Sequence, residues 1–145
     1  MSHVHGPVLG MPELDAPHAD MLSRADDVAA AARSRQARKT AKLLDGLIET
    51  TALHFAYEEE WMDRTGYPDR AAHRAAHDLF LQDLHTSGLE LRAVGVSARV
   101  LDWACGRLQQ WLRFHMEKND RPLARYLERM ATQRRPAPTS VQHRS

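Results

Sequence analysis

Five histidines and two acids fall at spacings that suit metal ligation. His54 and Glu58 stand four residues apart, as do His73 and His77. On a helix each such pair projects from one face, its members about 6 Å apart along the axis. Asp120 follows His115 by five residues, and His18 stands one turn ahead of Met21 and Leu22. Imidazole nitrogen with carboxylate oxygen is a donor set that suits iron, and without thiolate it argues against a closed structural zinc site. Any one pair is a common accident on a helix surface. Seven such groups on the buried stripes of one small domain are not, because each buried imidazole needs a partner for its nitrogens.

The elements that must carry these groups are helical. Leu44, Leu47, Ile48, Thr51, Phe55 and Met62 recur at three- and four-residue spacing, with Gly66 and Pro68 expected to end that helix. An earlier helix is expected to open on Asp15 as N-cap, with Pro17 in its first turn, and to carry Met21, Leu22, Ala25, Val28, Ala29 and Ala32. A third runs from about Asp69 through Phe80, Leu81 and Leu84 until Gly88. A fourth runs from about Ser97 through Leu101, Ala104, Leu108, Trp111 and Leu112. Asn119 to Pro122 is expected to interrupt it, with a short fifth helix over Leu123–Met130 following. In an unbroken helix Asp120 would lie about 140° away from the face of His115. Pro122 is expected to loosen the backbone there and let the carboxylate swing inward. Short links join antiparallel neighbours, so the pattern predicts an all-α fold, an up-down-up-down four-helix bundle with a short C-terminal helix. Residues 1–12 read as an irregular N-terminal arm, 13–130 as the bundle and 131–145 as a disordered tail.

Composition narrows the function classes. The 145 residues include 20 Lys and Arg against 19 Asp and Glu, a net charge of +1, so no strong field recruits nucleic acid or an anionic membrane. No apolar run approaches the length of a membrane span, and the N-terminal residues lack the pattern of a signal peptide. The single cysteine, Cys105, fits a reducing cytoplasm and reads as a small packing residue beside the core. Glu59 and Glu60 rotate away from His54 and read as solvated. His3, His5, His85 and His143 lack partners of ligand type and read as surface residues.

In this order the segments LDAPH (14–18), HFAYEE (54–59), HRAAH (73–77) and WLRFHMEKND (111–120) resemble the hemerythrin family of non-haem di-iron proteins, in particular its single-domain bacterial members. The resemblance spans Leu14 to Asp120 and includes the full set of five His, one Glu and one Asp. Two departures stand outside that set: the tryptophan frequent ahead of the first helix is missing, and Met116 stands where isoleucine is common. The resemblance implies two Fe ions with an oxo or hydroxo bridge. His73, His77 and His115 would hold one iron, His18 and His54 the other, and Glu58 and Asp120 would bridge them. Eleven of the twelve positions around two octahedral metals are then filled, and the vacancy falls beside His18 and His54, where O2 would bind end-on and leave by reversal.

Phe55, Trp111 and Leu112 are candidates for an apolar wall that excludes water from the O2 pocket; the alternative for each is ordinary core packing. The expected function is reversible O2 binding for storage, delivery or sensing, without catalysis. The recipient would be an oxygen-consuming enzyme or a signalling protein acting in trans. Two alternatives stay open: a di-iron enzyme that reduces O2, peroxide or nitric oxide or handles iron, and a non-redox bundle that holds zinc or manganese or merely uses the site as a folding staple.

Overall fold

In the computed structural model, residues 9–134 are described, and they form helices joined by short links, with no strand among the described residues. Helix α1 spans Pro12–Arg33, α2 Ala37–Thr65 and α3 Arg70–Val94. The fourth rod is composite: α4 (Ala98–Asp102), a π turn over Trp103–Arg107, α5 (Leu108–His115), a second π turn over Met116–Asp120, and α6 (Arg121–Arg134). The junction residues Trp103, Leu108, Met116 and Arg121 all keep right-handed helical dihedrals, so this rod is unbroken. Helix α1 packs on α2 and on the fourth rod, α2 packs on α3, and α3 meets α4. The chain is an all-α four-helix bundle.

Several boundaries differ from the sequence reading. Helix α1 starts at Pro12, not after Asp15: Met11 is extended, and its carbonyl accepts from the N–H groups of Leu14 and Asp15. Proline at the first helical position carries a preset φ and has no N–H to orphan, which favours the earlier start. Asp15 caps nothing. Its carboxylate accepts from the backbone N–H groups of Leu9 and Gly10 at 2.9 and 3.1 Å, tying the incoming chain to the helix. Pro17 consequently sits in the second turn. Gly66 ends α2 as expected, in the left-handed region at φ 66°, with the Tyr67 N–H returning to the Met62 carbonyl. Gly88 does not end α3. Glycine in a helix interior costs only about 1 kcal/mol relative to alanine, and the stop comes at Gly95, whose φ of 82° and ψ of −158° suit no side-chain-bearing residue.

Nor does the chain break at Asn119–Pro122. The Arg121 N–H donates to the Met116 carbonyl, an i→i+5 bond, and the helix continues through Pro122 to Arg134. A proline without an N–H frees a carbonyl in the preceding turn, and the ladder relaxes into a wider turn there instead of stopping. The tail expected over 131–145 is helical as far as Arg134, and its remainder lies outside the described residues, as do positions 1–8 of the N-terminal arm. His3, His5 and His143 are among those undescribed positions, whereas His85 is exposed, as expected.

Two apolar clusters fill the bundle. The larger joins Met21, Leu22, Val28, Leu44, Leu47, Phe55, Phe80, Leu84, Leu91, Trp103, Leu108, Leu112 and Met116. The smaller joins Met62, Tyr67, Leu123 and Leu127 near one end. Trp103 is buried, and its indole N–H donates to Asp83 of α3 at 2.7 Å, so the deepest aromatic of the fourth rod keeps its polar atom satisfied. Cys105 is exposed, not packed: the first π turn aims it outward, where Arg33 donates to its sulfur at 3.6 Å.

Candidate metal centre

Along every rod the buried stripe changes from apolar to ionisable at the same level. On α2 the buried series runs Leu47, Thr51, His54, Phe55, Glu58, Met62; on α1 it runs Leu14, His18, Met21, Leu22. On α3 His73 and His77 precede Phe80, and on the fourth rod His115 and Asp120 fall between Leu112 and Leu123. These seven groups therefore form one layer between the two apolar clusters. All seven are at most 5% exposed. The second π turn explains how Asp120 joins them: one extra residue in the turn carries position 120 back onto the face of His115, from which an α-helix would rotate it away.

The carboxylates divide the layer. Glu58 Oε2 lies 2.8 Å from His54 Nε2 and 3.7 Å from His18 Nε2, while its Oε1 lies 3.0 Å from His77 Nε2 and 3.2 Å from His73 Nε2. Asp120 repeats the division, with Oδ2 at 2.9 Å from His18 Nε2 and Oδ1 at 3.0 and 3.2 Å from His73 and His115 Nε2. Two groups of donor atoms result, each mutually within 4.8 Å. One is Glu58, His73, His77, His115 and Asp120; the other is His18, His54, Glu58 and Asp120. Each acid belongs to both.

His73 Nε2 and Glu58 Oε1 are hydrogen-bonded at 3.2 Å, but most of the other donor atoms approach one another without satisfying one another. The Nε2 atoms of His18, His54, His77 and His115, together with Glu58 Oε2 and Asp120 Oδ1, are buried with no hydrogen-bond partner in proper geometry. Lone pairs that converge without directional hydrogen bonds fit a cation between them, and burying this many polar atoms unpaired would otherwise be costly. Without a metal, protons must supply the positive charge. Burial alone would lower the His18 imidazole, but the Asp120 and Glu58 carboxylates outweigh it and raise its pKa from 6.5 to about 9. His73 is raised to about 9 by the same opposition. Burial would raise Glu58, yet the surrounding imidazoles hold it well below its ordinary range. Asp120 is lowered likewise, against both burial and the charge of Glu58.

Aromatic side chains brace the layer. Phe55 stacks on His77 with centroids 3.7 Å apart and also faces His115 at 5.8 Å. Trp111 stacks on His115 at 4.7 Å and on Phe80 at 3.9 Å, and Leu112 is buried in the adjoining apolar cluster. Phe55 and Trp111 thus stand against histidines of the five-member group. A surface groove between α1 and α2, lined by Ala16, Pro17, Thr50, Leu53 and Tyr57, has His54 in its wall.

Two neighbours escaped the sequence reading. Tyr67, in the α2–α3 link, presents its ring edge-on to His73. Glu59 is not simply solvated: its Oε2 lies 2.9 Å from His77 Nδ1. Only the i, i+18 relation across two helices joins Glu59 to His77, and no local periodicity reports it. Glu60 is exposed and pairs with Arg64, as its position predicts.

A four-helix bundle with a buried His and carboxylate layer able to hold metal is the class that fold and site define. The family model described as "Hemerythrin HHE cation binding domain" matches residues 9–127. The chain belongs to the hemerythrin family. Curated relatives include the bacteriohemerythrin of Stenotrophomonas maltophilia (strain R551-3), 28% identical over 116 residues that cover 80% of this chain and 74% of the relative. The bacteriohemerythrin of Pseudomonas aeruginosa (strain UCBPP-PA14) is 26% identical over 111 residues, covering 77% of this chain and 71% of the relative. That of Methylococcus capsulatus (strain Bath) is 41% identical over a shorter stretch of 59 residues, 41% of this chain and 43% of the relative. No helix among the described residues is long and apolar enough to cross a membrane.

Proposed function

We propose that this chain binds O2 reversibly at a non-haem pair of irons, for oxygen storage, delivery or sensing in the cytoplasm. The observation that carries the reading is the unequal division of donors: five groups face one metal position, four face the other, and both carboxylates are shared. Glu58 and Asp120 would bridge; His73, His77 and His115 would complete one position, and His18 and His54 would cap the other. Bound there, an iron pair supplies two electrons and one open coordination position. The protein's part is to keep that position beside His18 and His54 free of a sixth protein donor. The apolar clusters on both sides of the layer keep bulk water from the site. Phe55, Trp111 and Leu112 would hold the histidine rings in place and contribute to the wall against water.

A nitrogen-rich set distinguishes this layer from the carboxylate-rich di-iron sites of ferritin-like bundles, which use four acids and two histidines. Five imidazoles favour the reduced pair and so favour release of O2 over its cleavage. The test is an oxygen cycle on the iron-loaded, anaerobically reduced protein. Oxygen should raise a visible absorption band, and removing oxygen should bleach it through repeated cycles. A single irreversible oxidation would overturn reversible binding and favour the di-iron enzyme.

A further inference from the structure

We propose that Glu59 is a positioning residue for the metal layer, acting through His77. The proposal rests on the metal reading above and concerns a residue outside the seven proposed ligands. His77 is fully buried and its two nitrogens face opposite carboxylates. Nε2 is 3.0 Å from Glu58 Oε1, inside the layer, and Nδ1 is 2.9 Å from Glu59 Oε2, outside it. A neutral imidazole carries one proton, and an ionised carboxylate only accepts. Of the two contacts only that to Glu59 has hydrogen-bond geometry, whereas Nε2 has no partner in proper geometry, so Glu59 places the proton on Nδ1 and leaves the Nε2 lone pair free to face the metal position.

Glu59 is itself held. Arg74 of α3 brings Nε to 3.5 Å from Glu59 Oε1 and donates through a terminal nitrogen to both oxygens of Asp63, at 3.2 and 3.0 Å. Phe55 of α2, stacked on the His77 ring with the two planes 7° apart, fixes the plane of that ring. The ring thus has its tilt set by an aromatic face and its tautomer set by a charge. His115 lies in the same five-member group, but its Nδ1 is buried without a hydrogen-bond partner. His77 is consequently the stronger electron donor of the two, since a carboxylate on the distal nitrogen makes an imidazole more basic toward a metal. A more basic ligand favours the more highly charged metal state.

The test compares Glu59→Gln, which keeps an acceptor oxygen but removes the charge, with Glu59→Ala, which removes both, and with Glu60→Gln as control. Zinc is the first probe, because a diamagnetic ion permits nitrogen NMR of the ring. In the wild-type zinc-loaded protein His77 should show its proton on Nδ1. Glu59→Ala should weaken zinc binding by about 10–100-fold, the usual cost of removing an outer carboxylate, with Glu59→Gln between it and wild type. In iron-loaded protein the reduction potential should rise in both Glu59 variants and stay unchanged in Glu60→Gln. A residue that only braces α2 against α3 would change thermal stability alone. Wild-type affinity and an unchanged potential in both Glu59 variants would overturn the proposal. Failure of the wild-type protein to take up metal would instead overturn the metal reading itself.

Discussion

At the scale of single residues, the distinction that matters is between a histidine with a buried, unsatisfied Nε2 and one that meets solvent. His54 and His85 are the sharpest pair. His54 Nε2 is buried without a hydrogen-bond partner beside Glu58, and His85 is exposed on α3. His54→Ala should remove one of the donors on the poorer side and lower metal content from two ions per chain toward one, read by elemental analysis after dialysis. His85→Ala should leave metal content unchanged and stability within about 0.5 kcal/mol of wild type. Equal metal loss in both variants would contradict the assignment. The residues of the layer were legible because each lies on the apolar stripe of its own helix, where an unpartnered imidazole is anomalous. Glu59 was not, since its meaning depends on which residue of α3 crosses opposite it. Cys105 was misread for a related reason: a stripe counted at 3.6 residues per turn slips wherever a π turn adds a residue.

At the scale of elements, the composite fourth rod does what a regular helix could not. Asp120 shares a face with His115 only because the Arg121 N–H reaches back to Met116. Pro122→Ala restores the missing N–H and the helix propensity with it, drawing the turn toward α geometry and the carboxylate away from the layer. Metal binding should weaken by about tenfold or more, the scale on which disturbed metal shells respond, while far-UV circular dichroism is kept or strengthened. Unchanged affinity would show that the wide turn does not depend on the proline. Gly88 within α3 and Gly95 just beyond its end give a second contrast. A Cβ at Gly88 would meet Leu44 at 3.6 Å and the flexible Arg92 side chain at 3.4 Å, so Gly88→Ala should stabilise by about 0.5–1 kcal/mol. Gly95→Ala meets no atom but carries a φ of 82°, and should destabilise by about 1–3 kcal/mol in chemical denaturation. Sequence reasoning identified the rods and their order from the apolar repeat. It placed the end of α2 correctly at Gly66 but the end of α3 too early at Gly88, because glycine marks a helix end only when its dihedrals, which are set by the next link, demand it.

At the scale of the whole molecule, the layer couples folding to protons and to metal. In the metal-free protein His18 and His73 have folded-state pKa values raised from 6.5 to about 9. Their stabilising contribution is therefore complete below about pH 6.5 and is lost as pH rises through about 9. Glu58 and Asp120 are lowered, so their contribution is present above the ordinary carboxylate range and is lost as pH falls below about 4. Denaturant titrations of the metal-free protein should show stability declining from pH 6.5 to 9. The metal-loaded protein should lack that decline, because ligands bound to metal no longer hold the protons that link stability to pH, and its metal affinity should fall as the solution is acidified. Free metal at a hundred times its dissociation constant adds about 2.7 kcal/mol per site. A metal-free protein whose stability rises across pH 6.5 to 9 would contradict this linkage.

On the proposed reading, seven side chains from four rods enclose two metal positions, not one. An anaerobic titration with ferrous iron, followed by removal of loosely held metal and elemental analysis, tests it most directly. Saturation should come at two irons per chain. Saturation at one iron, or retention of none, would contradict that reading.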